Sequence, residues 1–289
     1  MNIPDRIETG MQTAIRFATA NGCPPRLGNA LRHAVFPGGA RIRPRLCIAV
    51  AMACGDSDPA AATGAATAIE LLHCASLVHD DMPCFDNAQL RRGVATVHVE
   101  FGEEMALLAG DGLIVAAFET VARETQHAAH LTAPLIGIVA KAVGSPYGLV
   151  AGQAWESEEQ IDVVNYHRAK TASLFVGAVT AGAVASGGNP GEWRTLGDAL
   201  GAAYQVADDL YDVLGDSGSM GKPCQQDARN GKPNIIRELG VEGALRRLRT
   251  HVEEAAASVP DCLGADVLKA MIINEATRLI PKTASASAA

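Results

Sequence analysis

Apolar positions near the start of the chain recur with the spacing of an amphipathic helix. Ile3, Ile7, Met11 and Ile15 follow one another every four residues, which places them on one helix face, and Pro4 suits a first turn. The pattern predicts a first helix that buries this face.

Proline and glycine residues divide the remaining chain into further helices. A proline pair at 24–25 ends the first region, and two glycines at 38–39 break the chain again. Asp58-Pro59 supplies an N-cap and a first helical residue for a long apolar helix that runs until Pro83. The other predicted helices end at Val35, run from Pro44 to Gly55, and cover 102–124, 129–142, 146–157, 163–186, 191–214, 234–258 and 264–280.

Composition also favours helices. Alanine, the best helix former, is abundant, and aromatic residues make up only 4% of the 289 residues. Strand-like alternation never extends beyond a few residues, and the sequence has no internal repeat. We therefore predict one all-α domain over 1–281, followed by a flexible tail over 282–289.

Charge and cysteine content narrow the class of protein. The net charge of −8 argues against a protein that binds nucleic acid. The seven cysteines are odd in number and lack zinc-ligand spacing, which is typical of free thiols in a reducing compartment. The start of the sequence has no apolar secretory region, and the uncharged stretch 171–191 is rich in small residues, as in a core helix. These features predict a cytoplasmic protein with no transmembrane segment.

Two acidic clusters carry the candidate chemistry. The first, HDDMPCFDNAQLRRG, begins at His79, and the second, YQVADDLYD, begins at Tyr204. Carboxylates three or four residues apart on a helix repel one another, and a solvated helix end would explain either cluster alone. Two clusters on apolar helices are better explained by Mg²⁺, which prefers hard oxygen ligands and bridges to phosphates. The candidate metal ligands are Asp80, Asp81, Asp86, Asp208, Asp209 and Asp212.

Cationic residues accompany both clusters. Arginine binds phosphate oxygens in a bidentate manner, and lysine adds a point charge. Together with the carboxylates and the apolar helices, these cations indicate a ligand that joins a diphosphate to a hydrocarbon tail. They are Arg41, Arg43, Arg91, Arg92, Lys170, Lys222 and Lys232.

In this order the motifs resemble those of the trans-isoprenyl diphosphate synthases, especially bacterial geranylgeranyl diphosphate synthases of carotenoid and bacteriochlorophyll pathways. The motifs are GGARIRP, LLHCASLVHDDMPCFDNAQLRRG, AGD, GQAWESE, AKT, YQVADDLYD and GK, and they span most of the chain. The resemblance implies the isoprenoid synthase fold, in which antiparallel helices surround a central catalytic cavity, usually in a homodimer. It also implies an enzyme that condenses isopentenyl diphosphate with dimethylallyl, geranyl or farnesyl diphosphate and uses several Mg²⁺ ions.

The resemblance gives each candidate residue a role. The six aspartates would hold Mg²⁺ on the allylic diphosphate, and the most direct ligands would be Asp80, Asp86 and Asp208. The residues that would neutralise the allylic diphosphate are Arg91, Lys170, Lys222 and Lys232. Those that would hold isopentenyl diphosphate are Arg41, His73 and Arg92, and those near the reacting carbons are Thr171 and Gln205.

The sequence departs from the family pattern at a few positions. Ala40 replaces the usual lysine after the double glycine, and this removes one expected contact with isopentenyl diphosphate. Val94-Ala95 replaces Lys-Pro, and Tyr204 replaces phenylalanine. Two glutamines at 225–226 also differ from the usual glycine and lysine.

Product length is expected to depend on the helix that carries Asp80. Ala75 and Ser76 are small, so no aromatic side chain there resembles the floor of farnesyl-producing enzymes in the family. Two extra residues near Pro83 and Cys84 are also typical of the C20 enzymes. We predict geranylgeranyl diphosphate as the product, with farnesyl diphosphate as the alternative, and we expect Ala75→Phe to shorten it.

Three other functions fit part of the sequence. A low-activity partner subunit of a heteromeric synthase would typically lose aspartates, which are all present here. A terpene cyclase would use an aspartate-rich site but would not need cations for a second diphosphate. A simple acidic cation-binding protein would explain the carboxylates but not the ordered arginines and lysines.

Overall fold

A computed structural model describes residues 2–214 and 235–278 of the chain. Helices predominate among these residues, so the all-α prediction is confirmed. The chain divides into two compact units, a first unit of Met1–Ala140 with Ala181–Gly188 and a second unit of Lys141–Thr180 with Asn189–Ala289. The expectation of a single domain over 1–281 stays a prediction, and the tail at 282–289 lies outside the described residues.

The helices and strands follow one another along the described chain with short connections. In order they are α1 (Ile3–Ala18), α2 (Pro25–Val35), α3 (Ile42–Ala53), α4 (Pro59–Asp80), β1 (Leu90–Arg91), β2 (Val94–Ala95), α5 (Val97–Phe101), α6 (Glu103–Glu124), α7 (Ala129–Val143), α8 (Leu149–Ala154), a 3₁₀ turn (Trp155–Ser157), α9 (Val163–His167), a π-helical turn (Arg168–Ala172), α10 (Ser173–Ala185), α11 (Pro190–Leu214), α12 (Ile235–Ala257) and α13 (Ala265–Arg278).

A side-chain cap opens each of two helices predicted in the first unit. The Asn2 side chain caps α1 by accepting from the Asp5 N–H at 2.9 Å, and Ile7, Met11 and Ile15 are buried. Asp58 caps α4 in the same way, accepting from the Ala61 N–H at 2.9 Å. These contacts confirm both predicted helices.

Helix α4 packs closely on α6 in the first unit. A side-chain carbon added at Gly110 would lie 2.0 Å from His79 Nε2, so only glycine allows this approach. Helix α4 ends at Asp80, three residues before the predicted end at Pro83, because the following loop turns back on its last turn. The close packing fixes the end of α4, where the first acidic cluster begins.

In the second unit α11 packs against α12. Ala203, Val206 and Leu210 of α11 form one apolar core with Leu245 and Leu248 of α12. This core holds the middle of α11, which carries the second acidic cluster.

Several local features were not predicted from the sequence, among them the short helix α5. The strands β1 and β2 form a short antiparallel hairpin in which Leu90 pairs with Ala95. The helix predicted over 163–186 is interrupted by the π-helical turn. Helix α12 is kinked at Gly240, whose φ is +66°.

Two helices, α4 and α6, are long and apolar enough to cross a membrane by length and composition alone. Of their most apolar segments, 78% of the α4 segment and 44% of the α6 segment is buried inside the protein. Core helices of globular proteins pass the same test, so this is weak support for a membrane span. The uncharged stretch 171–191 is mostly buried, as predicted for a core helix.

Candidate active site

The first acidic cluster lies where α4 gives way to a loop. The Asp86 N–H donates to the Asp80 carbonyl at 3.0 Å, and the Ala88 N–H donates to the Asp81 carbonyl at 3.1 Å. These bonds fold the loop back and bring Asp86 next to Asp80, although only Asp80 belongs to the helix. Asp80 and Asp86 are half-buried, whereas Asp81 is only 3% exposed.

The buried Asp81 is held by Arg91. Arg91 Nε donates to Asp81 Oδ2 at 2.7 Å, and Arg91 Nη2 donates to Asp81 Oδ1 at 2.5 Å. The same Nη2 lies 3.9 Å from Asp80 Oδ2. Such a bidentate pair is strong and directional. Asp81 therefore orients Arg91 and fastens the β1–β2 hairpin to the end of α4.

The hairpin also positions Arg92. Arg92 and Gly93 have φ values of +54° and +80°, which are the values of a tight hairpin turn. The Arg92 guanidinium donates to the Gly38 carbonyl and covers Gly39, where an added side-chain carbon would lie 2.5 Å from Arg92 Cζ. The structure thus joins Arg92 to the loop that contains Ala40.

Arg41 is built into the interior of the first unit. Its Nη1 donates to Glu70 Oε1 at 2.8 Å, and its Nη2 donates to the Val35 carbonyl at 2.7 Å. Glu70 is itself buried, and no feature of the sequence distinguished it as a partner. The role of Arg41 in binding isopentenyl diphosphate stays a prediction.

His73 lies within a group of arginines. Burial lowers the pKa of His73 well below its ordinary value, and the positive charges of Arg43, Arg92, Arg91 and Arg41 lower it further. The imidazole is therefore neutral at pH 7. The structure brings the three residues predicted to hold isopentenyl diphosphate into one electropositive region and adds Arg43 to them.

The second acidic cluster lies within α11. Asp208 is exposed and Asp212 is half-buried one turn further along the helix. Asp209, in contrast, is 4% exposed, and its carboxylate accepts from Gln205 Nε2 at 3.1 Å and from the Ile235 N–H at 2.8 Å. Asp209 therefore joins α11 to the start of α12.

Thr171 and Gln205, both predicted near the reacting carbons, are in contact. Thr171 Oγ1 donates to Gln205 Oε1 at 2.9 Å, and Gln205 donates in turn to Asp209. These bonds fix the orientation of the Gln205 amide. Lys222 and Lys232 lie outside the described residues.

Lys170 pairs with Glu156, a residue that the sequence reasoning missed. The Lys170 ammonium donates to the Glu156 carboxylate, which also accepts from Tyr166 Oη at 2.6 Å. Glu156 belongs to the GQAWESE motif, and this position in the motif was the available signal.

The two residues predicted to control product length lie on α4 as expected. Ala75 is 2% exposed, and the half-buried Ser76 donates to the His73 carbonyl at 2.8 Å. No aromatic side chain occupies either position.

The carboxylates that are not buried suit Mg²⁺. Among the described residues, no three His, Cys, Asp or Glu side chains are grouped so that they could hold a metal ion alone. Mg²⁺ needs few protein ligands, because it usually keeps several waters and takes the remaining oxygens from substrate phosphates. The all-oxygen donor set therefore fits this ion. The partly or fully exposed donors are Asp80, Asp86, Asp208 and Asp212.

Helices that carry two aspartate clusters, with arginines beside the first and Lys170 in the same unit as the second, are typical of metal-dependent enzymes that act on diphosphates. Within this class the chain belongs to the polyprenyl synthetase family, which it matches over residues 24–265. It is a short-chain trans-prenyltransferase of isoprenoid biosynthesis. The predictions of fold, enzyme class and family are thereby confirmed, and the family uses Mg²⁺.

Curated relatives and a solved structure are similar to the chain along its whole length. It is 47% identical to the geranylgeranyl diphosphate synthase of Cereibacter sphaeroides and 43% identical to that of Rhodobacter capsulatus, in each case over 99% of both chains. A geranyltransferase from Helicobacter pylori, solved with magnesium and isoprenyl diphosphate, has a TM-score of 0.78 and 27% identity. That comparison covers 96% of this chain and 97% of the other.

Proposed function

We propose that this protein is a geranylgeranyl diphosphate synthase, which condenses isopentenyl diphosphate with dimethylallyl, geranyl and farnesyl diphosphate. The observation that carries the proposal is the difference in burial among the six aspartates. Asp81 and Asp209 are buried and make structural contacts, whereas Asp80, Asp86 and Asp212 are half-buried and Asp208 is exposed. Full-length similarity to geranylgeranyl diphosphate synthases supports the C20 product.

The reaction breaks an allylic C–O bond, and the departing diphosphate carries several negative charges. When bound, several Mg²⁺ ions would neutralise part of that charge. The residues that would hold the ions are Asp80, Asp86, Asp208 and Asp212.

The chain itself contributes positive charge, orientation and exclusion of water. Lys170 would contribute an ammonium to the diphosphate, and the next residue, Thr171, contacts Gln205, which would lie near the reacting carbons. The arginines around the neutral His73 would hold isopentenyl diphosphate so that its double bond can attack the allylic cation. Buried apolar residues of α4 would keep water from that cation.

Product length is proposed to be set beside α4. Ala75 and Ser76 precede Asp80 by five and four residues, which is about 6 to 8 Å along a helix axis. Ala75→Phe would fill this space and is expected to shift the main product from C20 to C15, as measured by radio-TLC. Ala75→Ser, which adds little volume, serves as the control. Unchanged products in Ala75→Phe would refute this assignment of the pocket.

We also propose that the active form is a cytoplasmic homodimer. Leu107, Leu108 and Val115 of α6 are 49%, 51% and 69% exposed and lie on one side of the helix, which a second copy would cover. Val115→Asp is expected to convert dimers to monomers, as measured by size-exclusion chromatography with light-scattering detection. Val164→Asp, at an exposed position of α9, should not do so.

The decisive experiment is to incubate the purified chain with Mg²⁺, isopentenyl diphosphate and each allylic primer. We expect isopentenyl diphosphate to be consumed and geranylgeranyl diphosphate to accumulate. Accumulation of farnesyl diphosphate would favour the alternative product. Release of diphosphate without consumption of isopentenyl diphosphate would indicate a terpene cyclase, and an inactive chain would indicate a partner subunit.

A further inference from the structure

Glu156 is the centre of a group of polar contacts in the second unit. Its carboxylate accepts from Gln153 Nε2 at 3.1 Å, from Tyr166 Oη at 2.6 Å and from the Lys170 ammonium. The side chains of Glu156 and Lys170 are only 17% and 25% exposed, so the pair is largely shielded from water. Gln153 and Tyr166 thus hold in place the carboxylate that accepts from the Lys170 ammonium.

The backbone that carries Lys170 is clamped on both sides. A side-chain carbon added at Gly152 would lie 2.3 Å from the Lys170 nitrogen and 2.5 Å from its Cα. At Gly201, such a carbon would lie 2.4 Å from Ala172 Cα. Glycine at both positions therefore lets α8 and α11 contact the backbone of the π-helical turn directly.

The π-helical turn directs its neighbouring side chains to different partners. Lys170 contacts Glu156, which follows α8, while Thr171 contacts Gln205 on α11. π-Helical turns of this kind occur frequently at functional sites. The turn thus connects the cation predicted to bind the diphosphate to the amide predicted to lie near the reacting carbons.

We infer that Glu156 is a positioning residue that fixes the Lys170 ammonium for the allylic diphosphate. This inference rests on the proposed function, because the position of Lys170 matters to catalysis only if a diphosphate binds next to it. Without the negative charge of Glu156, the long lysine side chain would adopt several rotamers and would lose the geometry set by the π-helical turn. Tyr166 would support Glu156 through its hydroxyl group.

The test compares Glu156→Gln with Glu158→Gln. Both variants remove one negative charge from the same segment, but Glu158 is exposed. In Glu156→Gln we expect KM for the allylic diphosphate to rise about tenfold, while KM for isopentenyl diphosphate stays within about twofold. Tyr166→Phe should give a smaller rise in the same KM, and Glu158→Gln should change neither KM.

A second measurement follows Lys170 without any turnover. The intact protein is treated with an amine-reactive acetylating reagent, and the label on each lysine is then measured by peptide mass spectrometry. Lys170 should be labelled several times faster in Glu156→Gln than in the wild type or in Glu158→Gln. If labelling changes but the wild type consumes no isopentenyl diphosphate, the proposed function fails and the positioning contact stands. The inference is wrong if neither the labelling of Lys170 nor the KM for the allylic diphosphate changes in Glu156→Gln. It is also wrong if Glu158→Gln changes both quantities as much as Glu156→Gln does.

Discussion

The two acidic clusters each bring two carboxylates next to each other, but they do so by different local structures. In the first unit, Asp80 ends α4, and a backbone hydrogen bond from the loop brings Asp86 to it. In the second unit, Asp208 and Asp212 share α11 and need only the helical period to be neighbours. Yet both clusters bury one aspartate, Asp81 or Asp209, and use it for structure. Aspartates in one motif are therefore not equivalent.

The buried aspartates differ in what satisfies them. Asp81 is paired with a cation, Arg91, through two short hydrogen bonds. Asp209 has the Gln205 amide and the Ile235 N–H among its donors. The first contact orients a cation of the candidate site, whereas the second joins two helices. The two positions should therefore respond differently to substitution.

The largest expected effect is the loss of kcat when an aspartate proposed to hold Mg²⁺ is replaced. Asp80→Asn and Asp208→Asn should each lower kcat by about 10²–10³-fold, because a carboxylate that holds Mg²⁺ on the leaving diphosphate is lost. Their melting temperatures should stay near that of the wild type, since Asp208 is exposed and asparagine keeps the size of the half-buried Asp80 side chain. Steady-state kinetics at saturating Mg²⁺ and thermal unfolding of the free protein measure the two quantities.

Asp198→Asn is the matched control for Asp208→Asn. Asp198 lies on the same helix and makes an exposed ion pair with Arg168 at 3.3 Å. Its substitution should change kcat by less than about twofold, because exposed ion pairs contribute little. Equal losses in Asp198→Asn and Asp208→Asn would mean that overall charge, and not a metal ligand, is responsible.

A second prediction compares the two buried aspartates by stability. Asp81→Asn leaves the Arg91 guanidinium with a neutral partner and should lower the free energy of unfolding by about 3 kcal/mol. Asp209→Asn keeps its oxygen for the Ile235 N–H and should cost about 1–2 kcal/mol. Urea unfolding of the free protein measures both values. A larger loss in Asp209→Asn would show that the contact between α11 and α12 matters more than the arginine pair.

Much of the fold could be predicted because its signals are local. Pro4 and Asp58 mark helix starts, and apolar residues at helical spacing mark the buried faces. The hairpin was missed because each strand is two residues long and shows no alternation. The π-helical turn was missed because two glycines distant in sequence, Gly152 and Gly201, create the space for it.

The candidate site was predictable in its residue types but not in its partners. The aspartates and arginines could be recognised from motif and spacing. That Asp81 would pair with Arg91, and Arg41 with Glu70, depends on tertiary packing, which residue spacing does not encode. Glu156 was overlooked for the same reason, since Gln153, Tyr166 and Lys170 converge on it only in the folded chain.

The smallest expected effect concerns one histidine in each unit. Burial lowers the pKa of both His73 and His167, but four arginines lower that of His73 further, whereas Glu238 opposes the shift at His167. When the pH falls below the ordinary pKa of 6.5, His73 binds a proton in the unfolded chain but stays neutral in the folded chain. The free energy of unfolding should therefore fall by about 1 kcal/mol between pH 6.5 and pH 5.5.

Two substitutions assign this pH dependence to its source. His73→Asn removes the group that binds a proton only in the unfolded chain. It should therefore flatten the fall in unfolding free energy over that interval, as measured by urea unfolding at each pH. His167→Asn should flatten it less, because the nearby Glu238 carboxylate partly offsets burial in the folded state. If both substitutions flatten the fall equally, burial alone sets the two pKa values, and the arginines around His73 are too well screened by solvent to act on it. The electropositive region proposed for isopentenyl diphosphate would then lose its electrostatic support, although the contacts of Arg91 and Arg92 would remain.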